Sequence, residues 1–261
     1  MKFKYSYLIK IQFLGFRYHG WQKQTNAKTL HEMVDKTFNF MFDSTVEYKT
    51  LGVGRTDSKV SASVYAFQLF IDVAVDESCF IEEFNINVPA DINGLSIEKV
   101  CLKFNIIQTP KTKEYHYYFS FGNKNHPFAA PFIVGISDFL DIDLMKNGAT
   151  LFKGEHYFHK YCTKPSQKTV FKRQIDSCEI IENTILTASF FPENSYIFKV
   201  KGKGFLRYQI RLMMATLFEL GKGNIDLSFI ENSLKEDNDR MYLKNIAPSS
   251  GLQLFDIEFN S

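Results

Sequence analysis

The chain has 261 residues, a formal net charge of +2, and 45% hydrophobic and 16% aromatic side chains, including 27 Phe, 13 Tyr and one Trp. This length supports one large domain or two modest ones with a sizeable core. No run of 18 apolar residues is present and the amino terminus alternates in polarity rather than opening a signal-peptide core, so a cytoplasmic protein without a membrane span is expected.

In chain order, Tyr5, Tyr7, Ile9, Ile11 and Phe13 alternate with Ser6, Lys10 and Gln12, which predicts a first strand. Thr29 and Glu32 have capping-box spacing, and Leu30, Met33, Val34, Phe38 and Met41 recur at helical intervals on one apolar face. Gly54-Arg55-Thr56-Asp57 then forms a glycine-punctuated turn between two apolar runs, with an arginine two residues before an aspartate. Such a turn presents a carboxylate on a loop held by rigid neighbours. The same residue types are also ordinary turn formers whose side chains bond the local backbone. Alternation at Tyr65, Phe67, Leu69, Ile71 and Val73 predicts the next strand.

Further on, Tyr115, Tyr117, Phe119 and Phe121 alternate as a strand, and 173–182 and 195–201 read as two more. Residues 206–220 predict a helix stopped by Gly221, with Ile210, Met213, Met214, Leu217 and Leu220 facing the core. The acidic stretch 231–240 reads as a surface loop before a last strand at 252–259. This order fits two α+β units, residues 1–106 and 107–261. Cys79, Cys101, Cys162 and Cys178 lack C-x-x-C spacing and are expected as reduced core residues rather than a disulfide framework or zinc ribbon. His156, His159 and Cys162 lack a fourth metal ligand, and Gly52-x-Gly54 and Gly202-x-Gly204 lack the third glycine of a dinucleotide site.

Charge is more telling in its distribution than in its sum. Between residues 199 and 222 stand Lys199, Lys201, Lys203, Arg207, Arg211 and Lys222 against Glu219 alone, and a second stretch holds Lys160, Lys164, Lys168, Lys172 and Arg173. Such stretches are either solvated faces or a groove that tracks phosphates.

Seven segments, in order, resemble the TruA-type tRNA pseudouridine synthases over nearly the whole chain. They are Gly15-Phe16-Arg17-Tyr18-His19-Gly20-Trp21-Gln22-Lys23-Gln24, Gly54-Arg55-Thr56-Asp57, and Asn87-Val88-Pro89-Ala90-Asp91-Ile92. Glu114-Tyr115-His116-Tyr117 and Gly154-Glu155-His156-Tyr157-Phe158 follow. Phe205-Leu206-Arg207-Tyr208-Gln209-Ile210-Arg211 and Ala247-Pro248-Ser249-Ser250-Gly251-Leu252 complete the set.

The resemblance implies the α+β pseudouridine-synthase fold, two halves sharing a mixed, largely antiparallel sheet with a central cleft. It implies uridine isomerisation in RNA, tRNA at the anticodon stem-loop, by a homodimer that needs no cofactor or metal. It makes Asp57 the catalytic carboxylate, acting as nucleophile at C1′ or as base at the ribose, Arg211 its cationic partner and Tyr115 the ring that meets the uracil. Arg55 would fill the gap left by a flipped nucleotide, and Lys59, Lys201, Lys203 and Arg207 would contact the RNA backbone. The chain departs from the family pattern after Asp57, where Ser58-Lys59-Val60-Ser61-Ala62 replaces Ala-Gly-Val-His-Ala. Leu14 stands where an aspartate is usual, and Asn105-Ile106-Ile107-Gln108 replaces His-Ala-Arg-Phe, removing an arginine. These changes leave open a synthase retargeted to another RNA position, or a noncatalytic RNA-binding and RNA-folding relative.

Overall fold

The computed structural model describes residues 3–236, 243 and 245–259, and it divides the chain into two compact units, Met1–Pro110 with Leu254–Ser261, and Lys111–Gln253. The elements run β1 (Tyr5–Phe13), α1 (Leu30–Met41), β2 (Tyr48–Gly52), β3 (Ser61–Ile71), α2 (Phe80–Asn87) and β4 (Ile92–Lys99). Then follow β5 (Lys111–Phe121), β6 (Val134–Ile136), α3 (Ile142–Thr150), β7 (Gly154–Tyr157), β8 (Lys172–Glu182), β9 (Tyr196–Gly202), α4 (Gln209–Gly221), α5 (Leu227–Ser233) and β10 (Leu252–Phe259). The architecture is α+β with mixed, mostly antiparallel strand pairing.

In the first unit the strand order is β4-β1-β3-β10, with β2 also on β3. The β1 and β3 strands pair antiparallel with Ile9 opposite Phe67, so their alternation in sequence becomes one buried face. Helix α1 begins where Thr29 Oγ1 accepts the Glu32 amide, as the capping spacing predicts, and it buries Leu30, Met33, Val34 and Phe38. The Phe38 ring lies about 6 Å from Phe67, Phe80 and Phe84, which fastens α1 and α2 to the sheet. Burying each such side chain contributes roughly 1.5–3 kcal/mol.

In the second unit the order is β5-β9-β8-β7, with β6 parallel to β5. Helix α4 is buried along its length except at Arg211 and Glu219, so it is a core helix rather than a two-faced one. Its Phe218 meets Tyr117 and Phe119 of β5, and Gly148 of α3 lets Leu220 approach closely enough that a Cβ there would meet its Cδ2 at 2.4 Å. Tyr118, Ile133 and Ile197 form a second cluster, covered by Phe132 and Phe191.

Three expectations are corrected. The helix predicted from 206 starts at Gln209, because Tyr208 adopts a left-handed φ of 63° that periodicity cannot reveal. The predicted 231–240 loop is helical at 231–233, the end of α5, whose Asp226 cap accepts the Phe229 amide; residues 237–240 lie outside the described residues. Cys79 and Cys101 are exposed, at surface turns beside α2 and β4, while Cys162 and Cys178 are buried and all four are free thiols.

Candidate active site

Asp57 sits half-buried in the turn between β2 and β3, a segment held by hydrogen bonds on both sides of it. The Val53 amide donates to the Ala66 carbonyl at 2.9 Å and the Tyr65 hydroxyl donates to the Gly54 carbonyl at 2.6 Å. Beyond Asp57, the Lys59 amide and the Ser58 hydroxyl both donate to the Tyr18 carbonyl, at 3.0 and 3.3 Å, and the Val60 amide returns to the Asp57 carbonyl at 3.2 Å. The segment 15–20 packs against this turn so closely that its two glycines leave no room for a Cβ. A Cβ on Gly15 would meet the Val60 oxygen at 1.9 Å, and one on Gly20, whose φ is +81°, would meet the Thr56 oxygen at 2.2 Å. Arg55 and Lys59 are exposed on the turn, with Lys59 Nζ 5.4 Å from the Phe16 ring centroid. Thr56 Oγ1 is buried without a hydrogen-bond partner among the described residues.

The loop departures now have a local meaning. Lys59 adopts φ 67° at the position where the resembled pattern carries glycine, so the turn keeps a left-handed residue but places a side chain there. Ser61 replaces a histidine, and its Oγ accepts the Gly15 amide at 3.0 Å.

Sequence reading did not join Tyr18 to Asp91, although both fell in quoted segments. The Tyr18 hydroxyl donates to Asp91 Oδ1 at 2.6 Å, and the Arg17 guanidinium clasps the same carboxylate through Nε and through Nη2, the latter at 2.8 Å. Burial works to raise the Asp91 pKa, but the hydrogen bonds from Arg17 and Tyr18 together with the Arg17 charge hold it below the ordinary carboxylate value. Burial, with Asp91 beside it, pushes the Tyr18 phenol up. Behind the turn, Trp21 packs on Tyr65 at 4.3 Å and stacks on His31 at 5.1 Å, and His31 Nε2 meets Thr50 Oγ1 at 2.6 Å.

The second unit carries Tyr115 and Arg211. Tyr115 lies half-buried on β5 opposite Val200, edge-on to Phe205 with ring centroids 5.3 Å apart. Arg211 Nε donates to the Ala247 carbonyl at 2.7 Å and its backbone carbonyl accepts the Ala247 amide at 3.2 Å, which binds the start of α4 to the Ala-Pro-Ser-Ser-Gly segment. The same segment reaches β5 through the Tyr117 hydroxyl, which donates to the Pro248 carbonyl at 2.7 Å. Arg207 and Arg211 share the Tyr208 ring, at 5.2 and 4.9 Å from its centroid.

The basic stretch after residue 199 divides by role. Lys199 is 3.5 Å from Glu179 and 3.8 Å from Glu114, and Lys222 pairs with Asp138 at 2.8 Å, so both are engaged with carboxylates. Lys201 lies opposite Glu114 in the ladder, hence on the sheet face turned away from Tyr115, while Lys203 is exposed just past β9. Lys113, which sequence reading passed over, lies two residues before Tyr115 and shares its face. Burial, and then the neighbouring Lys111 charge, lowers its pKa to about 8. The Lys111-x-Lys113-x-Tyr115 alternation was the available signal.

Residues 149–260 match the family model described as tRNA pseudouridine synthase. The chain is similar to tRNA pseudouridine synthase A of Exiguobacterium sibiricum, 29% identical over 95% of this chain and 94% of that protein. It is likewise 29% identical to tRNA pseudouridine synthase A of Thermodesulfovibrio yellowstonii, over 94% of this chain and 96% of that one. With tRNA pseudouridine synthase A 2 of Bacillus cereus it shares 27% identity over 98% of this chain and 100% of the relative. With its α+β fold and its Gly-Arg-Thr-Asp turn, the chain is similar along nearly its whole length to tRNA pseudouridine synthases.

Proposed function

We propose that this chain isomerises uridine to pseudouridine in tRNA through the carboxylate of Asp57. The observation that carries the reading is the turn 54–59, held at Gly54 by the Tyr65 hydroxyl and at Ser58 and Lys59 by the Tyr18 carbonyl, in a chain alignable to tRNA pseudouridine synthases along nearly its full length. A reacting carboxylate needs a fixed position more than it needs neighbours of any one kind. In the reaction the bond from N1 to C1′ breaks, the bond from C5 to C1′ forms, the C5 proton leaves and N1 gains one. Substrate and product are isomers, so no oxidant or reductant enters the balance. Asp57 starts the sequence ionised, either attacking C1′ or taking a ribose proton to give a glycal.

Arg211 offsets the Asp57 charge, and Tyr115 lies against the uracil and serves proton transfer at C5. Arg55, exposed on the turn, enters the space a flipped nucleotide leaves. Lys59, Lys203 and Arg207 neutralise phosphates, and Lys201 serves RNA backbone that passes the other sheet face. The family resemblance extends the proposal to a cytoplasmic homodimer acting at the anticodon stem-loop.

The test is to incubate the full chain with unmodified tRNA transcript and separate the nucleosides after digestion. Pseudouridine should appear as uridine disappears, at unchanged nucleoside mass, and the Asp57→Asn variant should form none. A wild-type protein that forms no pseudouridine would sink the proposal.

A further inference from the structure

A cavity of about 490 Å³ opens in the second unit between the 162–170 loop, the start of β8 and the segment before α4. Four cations line it: Lys164, Lys168, Arg173 and Arg207. Neighbouring Lys172 pairs with Glu155 at 2.6 Å, whereas none of these four has a carboxylate partner among the described residues. Like charges gathered without a counter-charge repel, and an anion is what they lack. Arg173 is half-buried, and burial lowers its pKa with only partial opposition from Cys162, so its charge is under-solvated.

The rest of the lining mixes apolar residues with Thr163 and Thr169. Val170, 61% exposed, and Phe205 both line the cavity. Phe205 is the ring that also meets Tyr115 at 5.3 Å, and Tyr115 itself does not line the cavity. Thr163 contributes a buried Oγ1 with no hydrogen-bond partner among the described residues. The walls are held in place: the Thr163 amide donates to the Arg207 carbonyl at 3.3 Å, and Ser166 and Thr169 exchange two hydrogen bonds, 2.9 and 3.0 Å, that close the loop. Four cations lining one cavity together with the Phe205 ring, Leu206 and Val170 match a nucleotide better than a bare anion. The volume falls within the roughly 300–1,000 Å³ of small-ligand sites.

We infer that this cavity is a nucleotide subsite, which takes the phosphate and base of one unpaired RNA nucleotide other than the uridine that reacts. The inference rests on the reading of the chain as an RNA-modifying enzyme. Sharing Phe205 with Tyr115, an occupied subsite fixes the RNA next to the ring assigned to the uracil.

The experiment measures the Kd of unmodified tRNA for the full chain over a range of salt, by anisotropy, for wild type, Val170→Glu and the double variant K168A/R173A. All three positions lie at or near the surface, and Val170→Glu adds a negative charge at the mouth without touching a buried residue. Both variants should bind about tenfold more weakly or worse, and the double variant's slope of log Kd against log salt should fall by about 0.7, the value for one phosphate of a single strand. Wild-type Kd and slope in both variants would overturn the subsite. Inorganic phosphate that saturates the wild type at micromolar concentration as tightly as uridine monophosphate does, and is lost in K168A/R173A, would also overturn it, in favour of a small-anion site. Nucleoside analysis of the same proteins keeps the two proposals apart. Pseudouridine formation with unaltered variant binding removes the subsite alone, and weakened variant binding with no wild-type pseudouridine removes the catalytic reading alone.

Discussion

The Tyr18 hydroxyl donates to Asp91 at 2.6 Å while the backbone carbonyl of the same residue accepts the Lys59 amide at 3.0 Å, so one residue, through side chain and backbone, links the segment before β4 to the turn that carries Asp57. Tyr18 is only 1% exposed, and Tyr18→Phe removes a hydrogen bond to an ionised group without changing the packing. The expected loss is about 1.5–3 kcal/mol of stability by urea denaturation, together with a lower kcat on tRNA. Loss of stability with wild-type kcat would separate the Tyr18 link from the reacting turn.

Asp91 also sets an acid limit. Its folded pKa lies below its unfolded value, so its contribution to stability is complete above the unfolded value near about 3.9 and is lost as pH falls through the lower folded one. Wild type should therefore lose Tm steeply below about pH 4, and Asp91→Asn should start less stable and show a shallower decline. Parallel acid profiles for the two proteins would contradict this.

Lys59 has opposing effects on folding and binding. Its φ of 67° carries a steric penalty that glycine escapes, so Lys59→Gly should stabilise the chain by about 1 kcal/mol. The same change removes a cation assigned to a phosphate, and the Kd for tRNA should rise with a smaller salt slope. Calorimetry and anisotropy on one preparation read both, and a destabilised variant would contradict the strain.

Lys113 places a titration in the working range. With its pKa lowered to about 8, its cation is lost between neutral and alkaline pH on the face that holds Tyr115. KM for tRNA should rise as pH passes through about 8, and Lys113→Arg, which stays charged, should flatten that rise. Identical KM profiles would show that Lys113 makes no contact with the RNA.

Elements whose pattern is local and strong were legible: β1 and β3 from alternation, α1 from Thr29 and its apolar stripe, and β10 from 252–259. The turn 54–57 was legible because its residue types are few and its neighbours are strands. What escaped depends on φ, on length or on distance in sequence. Tyr208 delays α4 through a left-handed backbone. Helix α2 has eight residues and buries only Phe80 and Phe84, too little for a period to show. The clasp of Asp91 joins residues 73 and 74 apart. Counting charges placed Lys199 with Lys203, yet one is ion-paired within the sheet and the other is exposed beyond it.

The measurement closest to the central claim is tritium release from tRNA labelled at uridine C5, since forming the new bond from C5 to C1′ expels that hydrogen. Wild type should release tritium in step with pseudouridine formed, and Asp57→Asn should release none while still binding the RNA. Release by Asp57→Asn at the wild-type rate would contradict the role of Asp57 as the reacting carboxylate.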